Sequence, residues 1–187
     1  MMKPTKAKTT TIMLLLTLAL VVGCQKPEPP LSPEAAKFQK EIQAVIHRIA
    51  PPLVKPVATK DMQAIQKALI KTFTLCAEQC EGIFYNVFIL DKNGVLTAVY
   101  PPAEVKRFQF SNYRAVQKAF AERKPVQTIL YQPDGTATLI ICLPLIHKDQ
   151  VVGILALGFE GENVRQERGV SQEEFLHLKF RAPGQAP

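Results

Sequence analysis

The sequence has no tryptophan, three histidines and nine glycines among its 187 residues. So little glycine leaves no flexible linker or glycine-rich repeat, and no internal period is visible. The motifs of the common enzymes are missing as well: there is no G-x-S-x-G elbow, no phosphate loop and no dinucleotide fingerprint. No C-x-x-C, H-E-x-x-H or C-x-x-C-H spacing occurs, and Cys76, Cys80 and His147 together would still want a fourth metal ligand. His47 and His177 fall on helical segments and His147 in a turn, where solvated imidazoles account for them. With acid, base and nucleophile nowhere clustered, the expectation is no enzyme activity, no metal and no cofactor. Basic residues interleaved with aromatics are absent too, so the formal charge of +7 does not indicate nucleic acid. What remains is a composition of 47% hydrophobic and 21% charged residues, which must form a core and has the length of one domain with extras.

Much of the positive charge sits at the start. Lys3, Lys6 and Lys8 precede an apolar run from Ile12 to Val22, broken only by Thr17, which is the grammar of a secretory signal over residues 1–23. As a helix this run would rise about 16 Å, half of a bilayer core, too little for a permanent span. Val21-Val22-Gly23-Cys24 resembles the bacterial lipobox, in which the cysteine thiol takes a diacylglyceryl group and becomes the mature N-terminus. The resemblance implies lipid on Cys24, an extended tether over residues 24–31 and attachment on the periplasmic side of the envelope. Gln25 resembles the sorting residue of outer-membrane lipoproteins, which favours that membrane over the inner one. Without the three leader lysines, 20 basic face 16 acidic side chains, an ordinary surface at +4.

Along the mature chain, Ser32-Pro33-Glu34 predicts a helix start, with Phe38, Ile42, Val45 and Ile49 on one face and Pro51-Pro52 as its stop. A second helix is predicted from Asp61, with Met62, Ile65, Leu69 and Phe73 aligned. Strands follow over residues 83–90 and 95–100 around the turn Asp91-Lys92-Asn93-Gly94. Ser111 is the predicted cap of a third helix carrying Tyr113, Val116 and Phe120. Three more strands are predicted over 126–131, 136–145 and 151–160, separated by Pro133-Asp134-Gly135 and Lys148-Asp149. Five strands joined by tight turns, with helices gathered on one side, make an α+β antiparallel sheet. Beyond residue 160 the tail offers one short helix, capped at Ser171 with Glu174.

This order, with Asp91-x-x-Gly94, then Ser111-Asn112-Tyr113-Arg114, then Asp134-Gly135, Pro144 and Val151-Val152-Gly153-Ile154-Leu155, resembles a single Cache domain, the PAS-like extracytoplasmic sensor module of bacterial receptors. The resemblance covers residues 32–160. It implies a five-stranded antiparallel sheet with long N-terminal helices and a short helix on one side. It also implies a small ligand bound between sheet and short helix, and no catalysis. In amino-acid-binding members an arginine of the short helix clamps the ligand carboxylate; Tyr113 stands at that place here, and Arg114 lies one position off, about 100° around the helix. Tyr113, Arg114, Tyr131, Tyr85 and Tyr100 are the candidate ligand contacts, since a phenol offers an apolar face and one hydrogen bond.

Three cysteines remain beside Cys24. Cys76 and Cys80, four apart on a helix, are the candidate disulfide in an oxidising envelope, and Cys142 reads as a buried inert thiol. Two functional readings stay open: a lipid-anchored small-molecule sensor without its own output module, signalling through a receptor or kinase partner, or a structural or interaction lipoprotein of the envelope that uses the fold without a ligand.

Overall fold

The structure is a computed structural model and describes residues 29–77, 86–101 and 109–183. A compact unit opens at Leu31. Helix α1, Pro33–Ile49, begins as its sequence dictates: Ser32 Oγ accepts the Ala35 N–H at 3.1 Å, Pro33 fills a first-turn position that needs no N–H, and Glu34 faces the positive helix end. Its buried face carries Phe38, Ile42, Val45, Ile46 and Ile49.

The first helix ends at Ile49, ahead of Pro51 and Pro52 as expected, but the two prolines also start a further helix not among those expected from the sequence. They open α2, Pro51–Thr59, because the first turn of a helix is the one place where prolines cost no hydrogen bond. Lys60, in the left-handed region at φ 57°, ends it, and Asp61 Oδ1 then caps the Ala64 N–H of α3, Met62–Ala77. Ile65, Leu69 and Phe73 of α3 are buried, but Met62, expected on the same face, is 46% exposed.

The sheet has the order β2-β1-β5-β4-β3, antiparallel throughout, from β1 Asn86–Asp91, β2 Leu96–Tyr100, β3 Val126–Tyr131, β4 Ala137–His147 and β5 Gln150–Glu160. Strands β4 and β5 meet at a two-residue turn in which Lys148 and Asp149 are both left-handed, the geometry that matches sheet twist. The helices are not gathered on one side. Leu139, Ile141, Leu155 and Leu157 pack with α1–α3 on one face, while Cys142 and Ile154 on the other meet Val116 and Ala119 of α4, Arg114–Glu122. Near-continuous apolar runs in β4 and β5 allow this, since both faces of the central strands are covered.

The tail, expected to hold one short helix, forms two: α5, Gly161–Arg168, and α6, Gln172–His177. The expected capping box at Ser171 and Glu174 is present. Val164, Val170, Phe175, Leu178 and Phe180 lie in the same core as α1, so that core extends past Glu160.

Candidate ligand pocket

The Asp91-Lys92-Asn93-Gly94 turn positions the site. Asp91 Oδ1 accepts the N–H groups of Asn93 and Val95 at 2.8 and 2.9 Å, and Gly94, at φ +73°, takes a conformation that a side chain disfavours. The Gly94 carbonyl accepts the Phe110 N–H at 2.8 Å, and a Cβ on Gly94 would stand 2.9 Å from Ser111 Cα. Thus the turn docks directly on the segment that starts α4. Ser111, the expected cap, lies outside the helix; Tyr113 takes the N-cap position with no side-chain capping bond.

Between α4 and the sheet lies a cavity of about 180 Å³. Strand pairing explains the hollow: Asn86, Gly158, Ile140 and Thr128 stand in one cross-strand row, and Phe88, Ala156 and Cys142 in the next. Strand β5 contributes only glycine and alanine to the middle of these rows, so its neighbours rise around it. The Asn86 carboxamide occupies the space where a Gly158 Cβ would stand, so a side chain there would have to displace it. Phe88, Phe110 and Tyr113 form an aromatic wall, with centroids 6.3 Å apart for the first pair and 5.2 Å for the second, both tilted.

Asn86 Oδ1 is buried over Gly158 without a hydrogen-bond partner, which is rare for a polar atom. Burial pushes the Cys142 thiol up to about 12, so it is neutral and no nucleophile. No charged side chain occurs among the described residues of the cavity wall.

Of the five expected contacts, Tyr113 lines the cavity with its ring 48% exposed. Arg114, the next residue, is exposed and outside the wall. Tyr100 and Tyr131 are on the opposite face. Tyr100 pairs in register with Val87 and stacks on Phe73 at 5.0 Å, and Tyr131 donates to Gln172 Oε1 of α6 at 3.0 Å. The reason is strand parity: Thr128 and Leu130 point into the cavity, so Tyr131 points away. Tyr85, Cys24 and Cys80 lie outside the described residues, as does the side chain of Cys76, so the candidate lipid site and disulfide have no structural account. The contacts missed from sequence are Asn86, Phe88 and Phe110; counting by twos back from Asp91's neighbour Leu90 would have found the first two.

Among the described residues no helix is long and apolar enough to cross a membrane, and no cluster of three or more His, Cys, Asp or Glu side chains could hold a metal ion. No protein family model matches the sequence, and no curated protein matches it. Solved structures do. The extracellular domain of vpHK1S-Z8, named as a histidine kinase, superimposes with a TM-score of 0.58 at 14% identity, over 75% of this chain and 57% of that one. A domain named as part of a sensory box/GGDEF family protein from Vibrio parahaemolyticus gives 0.59 at 14% identity, over 75% and 60%. The ligand-binding domain of the Pseudomonas fluorescens chemoreceptor CtaA in complex with L-leucine gives 0.53 at 15% identity, over 70% and 55%. This chain therefore spans less than two thirds of each of those chains. Its fold is the single Cache, PAS-like fold that the order of motifs implied.

Proposed function

We propose that this chain is an extracytoplasmic sensory domain that binds a small molecule between α4 and the sheet, is held to the membrane by lipid on Cys24, with the outer membrane favoured, and passes its state to a receptor or kinase partner. The cavity carries the reading. A fold kept only as an interaction scaffold gains stability by filling such a hollow, since a void in a close-packed interior costs the contacts its lining lacks. Here β5 places only the small Ala156 on the cavity floor, beneath Phe88, Phe110 and Tyr113. The kinase, sensory box and chemoreceptor domains of the same fold support the sensory role and the class of partner. The leader and the Val21-Val22-Gly23-Cys24 sequence support the anchor.

Two measurements test this. A compound at one hundred times its Kd adds about 2.7 kcal/mol to the stability of the purified full chain, a shift that a thermal-melt screen over metabolites resolves. A flat screen across every compound class favours the structural-lipoprotein reading. Cys24→Ala is expected to release the protein from membranes or arrest its maturation; unchanged detergent fractionation refutes the anchor.

A further inference from the structure

We propose that the chain docks on an anionic phospholipid surface through a basic groove between α1 and the segment that follows α6. This rests on the lipid anchor at Cys24 for the nearness of a membrane, and it does not depend on the cavity or its ligand.

Two glutamines build the groove. Gln39 Oε1 accepts the Lys179 N–H at 2.8 Å, and one turn further along α1 Gln43 Oε1 accepts the Arg181 N–H at 2.7 Å while its Nε2 donates to the Arg181 carbonyl at 3.1 Å. The segment is therefore held by its backbone, which leaves its side chains to alternate. Leu178, Phe180 and Ala182 are buried, and Lys179 and Arg181 between them are exposed. Lys40 and His47, exposed on α1, line the same open groove of about 500 Å³. Both acids of α1, Glu34 and Glu41, line a different groove, where Glu41 meets Arg168 at 3.6 Å. Three cations and an imidazole thus surround one surface depression.

Magnitudes decide what such a groove holds. An exposed ion pair gains less than about fivefold in affinity, so a single free phosphate touching two or three exposed groups is held only weakly. A bilayer presents many phosphates at once, and each Lys or Arg close to an anionic surface contributes about fivefold. A tether adds to this by raising the effective concentration of the surface. Cys24 lies eight residues before Ser32, so the tether reaches at most about 28 Å, and Lys40 lies about 12 Å along α1 from Ser32. A bilayer that holds the Cys24 lipid is therefore within reach of the groove.

Hydrogen exchange over residues 178–182 of the purified full chain tests the proposal, on vesicles of phosphatidylglycerol, on vesicles of phosphatidylcholine and in inorganic phosphate. The groove exists only while the segment lies on α1, so a surface that binds it slows exchange of the Lys179 and Arg181 amides. Exchange is expected to be slower on phosphatidylglycerol than on phosphatidylcholine, and the difference is expected to vanish in molar salt, where the Debye length is about 3 Å. Lys40→Gln, which leaves the segment untouched, is expected to weaken docking about fivefold, and Lys40→Gln with Arg181→Gln about 25-fold. Lys67→Gln with Lys71→Gln, which removes two exposed cations of α3, is expected to keep the difference. Equal exchange on the two lipids overturns the proposal, as does a phosphatidylglycerol effect that survives Lys40→Gln with Arg181→Gln. Inorganic phosphate slowing exchange as strongly as the vesicles also overturns it, in favour of a free anion. Retention on phosphatidylcholine vesicles reads the anchor separately. A chain held on both lipids with equal exchange keeps the anchor and loses the groove, whereas a chain held on phosphatidylglycerol alone, and released by the groove variant, keeps the groove and loses the anchor. Retention on neither lipid refutes both.

Discussion

Gly94 and Gly135 offer a paired test of how the ligand helix is held in place. Both sit in tight turns with positive φ, +73° and +85°, so an alanine at either pays the left-handed penalty of about 1–2 kcal/mol. They differ in what a new Cβ would meet. At Gly135 nothing lies within 4 Å, whereas at Gly94 the Cβ would stand 2.9 Å from both Ser111 Cα and Ser111 N, backbone atoms that cannot swing aside. Relieving that overlap moves the segment before α4 and costs about 1–3 kcal/mol more. Gly135→Ala is therefore expected to lose about 1–2 kcal/mol and Gly94→Ala about 2–5 kcal/mol in urea unfolding at pH 7. For a unit of this size each kcal/mol lowers the melting temperature by about 2–4 °C, so the two variants separate in a simple melt. Because Phe110 and Tyr113 ride on the displaced segment, Gly94→Ala is also expected to weaken binding of a compound that the metabolite screen identifies, while Gly135→Ala leaves it unchanged. Equal destabilisation at the two glycines refutes the argument, since the Gly94–Ser111 contact would then yield at no cost.

Hydrogen bonds from Ser32 first, then from Ser171, hold the Glu174 carboxyl down at about 2, which ties the N-terminal ends of α1 and α6 to one carboxylate. A folded-state value below the ordinary 4.5 stabilises above that pH and is lost as pH falls toward 2; after allowance for solvent, Glu174→Ala is expected to cost about 1–2 kcal/mol at pH 7 and almost nothing at pH 2 in denaturant titrations. Leu157, fully buried on the α1 face of β5, is expected to cost about 2–5 kcal/mol as Leu157→Ala in urea unfolding; a variant as stable as the parent would mean that the two faces of β5 have been exchanged.

Turns were the most legible part of the sequence because their chemistry is local. Asp91-x-x-Gly94, Asp134-Gly135 and Lys148-Asp149 each satisfy their own backbone, and each strand boundary falls within a few residues of where they predict it. Pro51-Pro52 was ambiguous for a physical reason: the same residues end one helix and suit the first turn of the next, and only the packing of Leu53 and Val57 into the core decides between them. Helix α5 has no apolar stripe to read. Its Glu162–Arg165 pair at 2.6 Å is a surface contact, and Val164 is its one large buried side chain, so tertiary position rather than periodicity makes it helical. The chemistry of a phenol does not reveal its strand parity: the hairpin at Asp91 sends Tyr100, and the hairpin at Asp134-Gly135 sends Tyr131, to the far face, and the cavity takes Asn86 and Phe88 instead.

An open cavity beneath a short helix needs an explanation of its own, because α4 has nine residues and buries only Val116 and Ala119. Val116 and Ala119 meet Leu90, Leu96, Cys142 and Ile154 of the sheet, and apolar burial on that scale amounts to a few kcal/mol. Its position is also fixed at both ends by turns of the sheet. At the N-terminal end, Gly94 accepts the Phe110 N–H and lies against Ser111; at the C-terminal end, Arg123 Nη2 donates to the Asp149 carbonyl at 2.7 Å, in the β4–β5 turn. All three of Gly94, Arg123 and Asp149 are left-handed residues, conformations that the surrounding structure must impose. The ties add to the packing of Val116 and Ala119 and hold the helix over the part of the floor where β5 offers only Ala156. The same division lets β5 present Leu155, Leu157 and Phe159 to the core on its other face, where Phe159 meets Phe38 of α1 and Phe175 of α6 edge-on at 5.9 and 6.0 Å. The larger core thus lies on one face of the sheet, while the other carries a smaller cluster beside the cavity.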